Sequence, residues 1–212
     1  MTLGDAYLKA YRSQAYYRSA GWRGTWALDG GGALMNQGVH GVDSLLWLMN
    51  DDVESVFARA GHKVRDIEVE DTAVACLQYK GGAYGVIEAT TSCNPGEERR
   101  IELHGKLGTI CLSGRGSSSE ITRWAVTTEE DGRAKDAAGA GTGGSDTTVG
   151  DPGALTAENH AWLLQDLVEA IRDDREPFVT GESARKAVDL ILAIYESSNT
   201  GRDVKLDEMA NC

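Results

Sequence analysis

Apolar and polar residues alternate through the middle of the chain, which is the pattern of strands in a sheet with one covered face. Extended segments are predicted at about 53–60, 71–79, 83–91, 99–104, 108–113 and 120–127. The connections at 80–82 and 105–108 are short and contain glycine, so the strands they join are expected to form antiparallel hairpins. Aromatic and polar residues also alternate over 6–17, which predicts a further strand leading into the loop at 21–26.

A helical period is present at 33–49, 158–173 and 182–198, where apolar residues recur every three or four positions. The stripe of the second segment contains Ala161, Leu164, Leu167, Val168 and Ile171, and that of the third contains Ala184, Ala187, Val188, Ile191, Leu192 and Tyr195. Thr180 is placed to cap the third helix and Gly201 to end it. Strands followed by amphipathic helices predict an α+β fold, an open and predominantly antiparallel sheet with helices packed on one face.

The segment 30–43 places a glycine run directly before a helical pattern that contains three polar side chains. Spacings of four and three residues put Asn36, His40 and Asp43 on one face of a helix. The apolar residues between them, which form a stripe for the core, are Val39, Val42, Leu46 and Met49. Histidine takes and gives a proton near neutral pH, so His40 is a candidate general acid/base. The alternative is structural: the glycines turn the chain and His40 satisfies a buried hydrogen bond.

The formal net charge is −12 and the pI is about 4.8, which argues against nucleic acid and anionic membrane as partners. A neutral or weakly charged small molecule fits this charge better. The cysteines, at 76, 93, 111 and 212, show neither C-x-x-C pairing nor histidines at ligand spacing, so neither a metal site nor a disulfide framework is indicated. No apolar segment has the length of a signal-peptide core or a transmembrane helix, which predicts a soluble, cytoplasmic protein.

Residues 129–153 are rich in glycine, alanine, aspartate and threonine and have no hydrophobic period, so they are predicted to form a mobile surface loop. Gly139, Gly141 and Gly144 match the dinucleotide fingerprint G-x-G-x-x-G. That motif requires a buried strand before it and a helix after it. Here charged residues precede the glycines and Pro152 follows, so the match is interpreted as accidental.

Four segments together resemble the substrate domain of the glucose-fructose oxidoreductase, inositol dehydrogenase and rhizopine-catabolism (Gfo/Idh/MocA) family. They are Trp22-Arg23-Gly24-Thr25-Trp26, the run from Gly30 to Asp43, Ile101 to Thr109, and Ala193 to Ser198 followed by Gly201 and Val204. The resemblance covers nearly the whole chain and keeps the order of the family motifs. It implies a C-terminal domain, with an open sheet, from an enzyme that transfers hydride between NAD or NADP and a sugar or cyclitol hydroxyl.

The resemblance assigns roles by position. His40 matches the general acid/base, and Asn36 matches the neighbouring polar residue, usually aspartate, that helps to place the histidine or the substrate. An amide cannot supply the negative charge that would raise the histidine pKa. Trp22, Arg23 and Trp26 precede the motif where the family receives substrate, and Asp43 continues the polar face. The two tryptophans fit equally well as a cover over the core at the start of the helix.

Neither a strand-glycine-helix unit nor the family's Glu-Lys-Pro motif occurs in the 212 residues. The chain is therefore expected to be one C-terminal domain over 1–212, without a dinucleotide-binding domain, and to bind no NAD or NADP when isolated. Two functions remain open: the substrate-binding and oligomerisation domain of an oxidoreductase, or a stand-alone, non-catalytic binding or assembly module. The family pairs subunits through the open sheet face, so a homodimer or tetramer is expected, with Tyr84 and Trp124 as anchors.

Overall fold

The computed structural model describes residues 1–114, 119–129, 132, 134–137 and 158–209, and its centre is an eight-stranded sheet. The strands are β1 (Leu3–Lys9), β2 (Val53–Gly61), β3 (Thr72–Tyr79), β4 (Tyr84–Thr90), β5 (Arg99–Gly105), β6 (Gly108–Gly114), β7 (Glu120–Val126) and β8 (Val204–Lys205). Their spatial order is β7-β6-β5-β1-β4-β3-β2-β8. The pairs are antiparallel except for β1 with β4, which confirms the predicted α+β fold with a mostly antiparallel sheet.

The strand predicted over 6–17 is wrong at both ends. Strand β1 begins at Leu3 and stops at Lys9, and a short helix, α1 (Gln14–Arg18), follows. Ser13 caps this helix, since its hydroxyl accepts a hydrogen bond from the Tyr16 backbone N–H at 3.2 Å. The tyrosines that continue the apparent alternation therefore belong to a helical turn.

The predicted helix at 33–49 consists of two parts, a π-helix (Ala33–Gly38) and α2 (Val39–Met49). The remaining helices are α3 (Glu158–Arg172), α4 (Gly181–Thr200) and α5 (Leu206–Met209). Thr180 and Gly201 cap α4 as predicted, Thr180 through a reciprocal capping box with Ser183 and Gly201 with a left-handed φ of 73°.

Helices α2 and α4 cover one face of the sheet and form the core with it. Val42 and Leu45 of α2, and Ile191 and Ile194 of α4, are fully buried against sheet residues such as Ile87. Burial of this kind stabilises by about 1.5–3 kcal/mol for each large aliphatic side chain. The prediction that helices pack on one face of the sheet is confirmed for these two helices.

Helix α3 does not cover the sheet, contrary to the expectation from its apolar stripe. Leu164, Val168 and Ile171 are exposed by 63%, 59% and 75%. Trp162 packs on Phe178, with ring centroids 5.7 Å apart, instead of on a strand. Amphipathic periodicity marks a face that must be buried, but it does not identify the surface that buries it.

The opposite face of the sheet is open and mixes apolar with polar side chains. Tyr84, Val74 and Phe57 lie on it and are exposed by 60%, 46% and 41%. Trp124 lies on the other side, since it pairs with Ile110, a residue packed against the core, so the prediction of Trp124 as an anchor of the open face is wrong. None of the described helices is long and apolar enough to cross a membrane.

The predicted mobile loop at 129–153, with its three glycines, falls almost entirely outside the described residues.

Candidate active site

The start of the π-helix is fixed by Glu70, which lies in the loop before β3 and is only 2% exposed. Its carboxylate accepts hydrogen bonds from the backbone N–H of Gly32 (3.0 Å) and of Leu34 (2.8 Å) and from the Tyr195 hydroxyl (2.9 Å). Burial raises the pKa of Glu70, although these donors oppose the shift. Glycine is required at Gly32 because a Cβ there would lie 2.0 Å from the Glu70 carbonyl oxygen.

A polar network follows within the π-helix. The Asn36 amide donates to the Asp29 carboxylate and accepts from the Gln37 amide. Gln37 also donates to the Tyr16 hydroxyl at 3.3 Å and accepts from Arg12 Nη2 at 2.7 Å. A π-helical turn holds one more residue than an α-helical turn, so Asn36 and Gln37 both contribute to this network.

The Asp29 carboxylate lies beside Asn36, the position at which the family usually has aspartate. Its second oxygen accepts the Gly24 backbone N–H at 2.8 Å, which fixes its orientation. A negative group is therefore present next to Asn36, one helical turn before His40. The asparagine itself supplies no negative charge at this position, but the Asp29 carboxylate beside it does.

His40 and Asp43 are both exposed on α2. Neither side chain forms a hydrogen bond with another described residue, so His40 does not satisfy a buried hydrogen bond as the structural alternative required. Asn36 is half-buried in the network, and a π-helical turn separates it from His40. The roles assigned to Asn36, His40 and Asp43 stay predictions.

The structure separates the predicted substrate residues into two groups. The Arg23 guanidinium carbon lies 4.0 Å from the centroid of the Tyr16 ring and 5.0 Å from that of the Trp22 ring, beside the Gln37 network. Trp26 instead packs edge-on against Tyr195, with centroids 5.3 Å apart. It lines a separate pocket of about 150 Å³ together with Glu68, Glu70, His62, Ser198 and Asn199.

Sequence reasoning missed four residues of this site: Arg12, Tyr16, Asp29 and Gln37. The alternation over 6–17 predicted a strand for Arg12 and Tyr16. These two residues are four positions apart with Ser13 between them, which is also typical of the start of a helix. Asp29 directly precedes the glycine run, and Gln37 directly follows Asn36. No local pattern indicates that these four side chains meet.

A second polar cluster lies on the open sheet face. One ligand atom each from Asp5, Glu102 and His104 lies within 4.8 Å of the others. Burial raises the pKa of Asp5, despite a hydrogen bond from the Val86 N–H at 2.9 Å. This cluster is remote in sequence from the Asn36 segment and was not predicted, because its members come from two different strands.

The glycine run before the π-helix does not offer a phosphate site. A phosphate would need free backbone N–H groups after a glycine run, at the start of a helix. Those of Gly32 and Leu34 are already donated to Glu70, and the Cβ of any residue other than glycine at Gly31 would meet the Tyr195 hydroxyl at 2.3 Å. The glycine run therefore binds the protein's own carboxylate.

Residues 3–111 match the family model described as the GFO/IDH/MocA C-terminal domain. The chain belongs to the GFO/IDH/MocA family. This match contains β1, the Asn36 network, α2, the strands β2 to β5 and the start of β6, whereas Tyr195 and the other α4 residues of the site lie beyond it.

Relatives within the family support the same conclusion. The myo-inositol 2-dehydrogenase of Thermotoga maritima is 29% identical over an alignment 192 positions long, which covers 84% of this chain and 50% of that protein. The WlbA dehydrogenase of Bordetella pertussis, solved in complex with NADH and UDP-GlcNAcA, is 31% identical with a TM-score of 0.71 over 96% of this chain and 54% of its own. The WlbA dehydrogenase of Chromobacterium violaceum, in complex with the same two molecules, is 29% identical with a TM-score of 0.75, over 96% of this chain and 54% of its own. The chain thus spans about half the length of these relatives.

Proposed function

We propose that this chain is the substrate-binding and oligomerisation domain of an NAD(P)-dependent oxidoreductase that acts on a hydroxyl of a sugar, cyclitol or related polyol. Family membership supports the reaction class, and the WlbA relatives, which bind NADH and a nucleotide sugar, support a sugar substrate. The observation that carries the proposal is the network of Arg12, Gln37, Asn36 and Asp29, which holds a rigid polar surface one turn before an accessible histidine.

The part of these residues in the reaction is proton transfer and substrate placement. The exposed imidazole of His40 accepts the proton of the reacting hydroxyl during oxidation and returns it during reduction. Asn36 is held by Asp29 and Gln37, so its amide orients the histidine or the substrate with little loss of entropy on binding. Trp22 and Arg23 offer an aromatic face and a guanidinium to the sugar, and Asp43 extends the polar surface.

Substitution of His40 in the complete enzyme, which includes a nucleotide-binding domain, tests its role. His40→Ala should lower kcat by about 100-fold or more, because a general acid/base contributes roughly two to four orders of magnitude. His160→Ala is the matched control, since His160 is also exposed on a helix but lies on α3. Equal activity of the two variants would show that His40 takes no part in proton transfer.

A companion variant restores the family's carboxylate. Asn36→Asp should retain activity, because the Gln37 amide can still donate to the new carboxylate. It also places this carboxylate against Asp29, so the added negative charge is present only where both are ionised. There it stabilises the protonated imidazole, raises its pKa and shifts the pH profile of kcat upward. A downward shift would contradict the proposed placement of Asn36 near His40.

We expect the isolated chain to bind no NADH or NADPH in the micromolar range, because the amides after the glycine run are occupied by Glu70. Calorimetric titration measures this directly. A one-site isotherm would require a nucleotide site elsewhere in the chain.

The open sheet face is proposed to pair two copies of the domain around a two-fold axis, with a tetramer as the larger assembly. Exposed Tyr84 and Val74 provide apolar contact area, while the ion pair Lys9–Glu88 (3.0 Å) contributes a polar part of the surface. Mixed surfaces with aromatic anchors are typical of interfaces.

Sedimentation equilibrium at micromolar concentration tests this interface. The unmodified chain should sediment as a dimer or larger species and Val74→Arg as a monomer, because a symmetric contact would bring two copies of the added charge together. Leu164→Arg is the control on the other exposed apolar surface, that of α3. A monomeric unmodified chain, or a dimer disrupted only by Leu164→Arg, would remove the sheet face as the interface.

A further inference from the structure

Three half-buried arginines surround α1 and lack acidic partners. Arg12, Arg23 and Arg65 take part in none of the ion pairs between described residues, although the chain has 33 acidic and 21 basic residues. In so acidic a chain an unpaired arginine has many carboxylates available as partners. Among the described residues, Arg18, Arg59, Arg99 and Arg202 also form no ion pair. This region is therefore distinguished by the grouping of three half-buried guanidinium groups around the Tyr11 and Tyr16 rings.

Two of them converge on one aromatic ring. The guanidinium carbons of Arg12 and Arg23 lie 5.3 and 4.0 Å from the centroid of the Tyr16 ring. Stacking covers one face of a guanidinium and leaves the N–H groups at its edge free to donate in the plane. Arg12 Nη1 donates to the Tyr11 carbonyl at 2.9 Å and Nη2 donates to Gln37 at 2.7 Å, which ties the arginine pair to the Asn36 network.

Unused donors add a second, independent observation. The Nε atoms of Arg23 and Arg65 are buried and have no hydrogen-bond partner in the described structure. A buried donor without an acceptor costs about 1–3 kcal/mol, so native proteins keep few of them and each one calls for an explanation. The Arg65 guanidinium stacks on Tyr11, 5.3 Å from its centroid, at the border of the same region.

We propose that Arg12 and Arg23 bind an anionic group of the substrate, a carboxylate or a phosphate, so that the substrate is an acidic sugar derivative and not a neutral polyol. This inference rests on the proposed function, since it takes the Asn36 network as the substrate site. Arginine matches both anions because its planar fork donates two parallel hydrogen bonds to a pair of oxygens. The overall charge of −12, which favoured a neutral ligand, is offset locally by these side chains.

Binding to the full 212-residue chain tests the inference without catalysis. The probes are D-glucuronate for a carboxylate, glucose 1-phosphate for a phosphate and D-glucose as the neutral reference, measured by calorimetry or chemical-shift titration. At least one anionic probe should bind about 10-fold or more tightly than glucose, a difference of about 1.4 kcal/mol. The stronger of the two identifies the group. Equal affinities, or anionic affinities weaker than about 10 mM, would overturn the inference.

Variants assign that binding to the arginines. Arg23→Gln and Arg12→Gln should each weaken the anionic probe about 10-fold or more and weaken glucose clearly less, so that the anionic preference is lost. Arg23→Lys should recover only part of that preference because it lacks the fork. Arg59→Gln is the matched control, since Arg59 also stacks on an aromatic ring, that of Phe57 at 4.7 Å, on the open sheet face. Equal effects of Arg23→Gln and Arg59→Gln would overturn the assignment.

If a variant fails to fold, the ratio of anionic to neutral affinity in the unmodified chain, and its decrease with added salt, decide the question.

The two proposals fail separately. Loss of the His40 effect on kcat would remove the catalytic role, whereas loss of anion preference would leave that role intact with a neutral substrate.

Discussion

Helices α3 and α4 carry the same kind of sequence pattern but meet different surroundings. Both have an apolar stripe at helical spacing, and both were expected to cover the sheet. In α4, Ala187 and Ile191 of the predicted stripe are buried with at most 1% exposure. Val188 and Leu192 of that stripe are 37% and 41% exposed, and Leu190 and Ile194, which the predicted stripe did not include, are buried in the core instead. In α3 most of the stripe is exposed, and Ile171 reaches 75%.

The difference shows that an apolar stripe specifies that a surface will be buried, without specifying its partner. Helix α4 is joined to the rest of the fold by hydrogen bonds as well as by apolar contact. The Ser197 hydroxyl accepts from the Ala58 N–H of β2 and donates to the Arg202 carbonyl. The Tyr195 hydroxyl donates to the Glu70 carboxylate. No comparable bond joins the described part of α3 to a strand. An exposed apolar surface of this size is typical of an interface, and the chain spans about half the length of its relatives.

The largest expected effect separates the two stripes directly. Ile191→Ala should lower the free energy of unfolding of the isolated chain by about 2–5 kcal/mol, because it leaves a cavity in a packed core. Ile171→Ala should change it by less than about 0.5 kcal/mol, because its side chain is exposed in this chain. Urea unfolding followed by circular dichroism measures both. Similar losses would mean that α3 is packed in solution.

The hydrogen bond from Tyr195 to Glu70 should contribute the next largest effect, and a pH-dependent one. Tyr195→Phe should cost about 1.5–3 kcal/mol where Glu70 is ionised, because a donor to a charged group is lost. The pKa of Glu70 is raised in the folded state, so stability falls as pH increases from the unfolded value of 4.5 through the folded value. The variant raises that folded pKa further, so its deficit should grow with pH and nearly vanish in acid.

Tyr79→Phe is the control for that measurement, since the Tyr79 hydroxyl is buried without a hydrogen-bond partner among the described residues. Its removal should be neutral or stabilising at every pH. A Tyr195→Phe deficit that does not change with pH would contradict the coupling to Glu70.

A smaller effect is expected at the start of α4. Thr180→Ala should lower stability by about 1 kcal/mol, because the Ser183 backbone N–H, 3.0 Å from the threonine oxygen, loses its acceptor. Thr180→Ser retains that oxygen and should restore most of the loss. If serine were as destabilising as alanine, the methyl group and not the cap would be responsible.

The smallest effect should come from making α3 more polar. Val168→Ser should change the unfolding free energy by no more than about 0.5 kcal/mol, since Val168 is 59% exposed. The same substitution should reduce fluorescence of a dye that binds apolar surfaces. In a complete enzyme in which a further domain covers α3, Val168→Ser should cost stability, which would identify the missing partner of the stripe.

Most of the sheet was predictable, because each strand from 53 to 126 carries its own alternation and is bounded by turn residues. The π-helix was not, because it depends on Glu70, which lies 36 residues from the amide of Leu34. The same holds for the site. The motif identified Asn36 and Arg23, whereas Asp29 and Tyr16 join them only through tertiary contacts that leave no periodic signal.

Strand β1 is the only described link between the two halves of the sheet, because β5 pairs with it on one side and β4 on the other. During synthesis this strand precedes both of its partners, and the second of them ends at Gly105. At about 5–20 residues per second, β1 waits roughly 5–20 s for that partner. Pairing over such sequence separations is slow. Strand β1 therefore remains an unpaired edge on the ribosome during that interval, and this domain should depend on chaperone protection more than its size alone indicates.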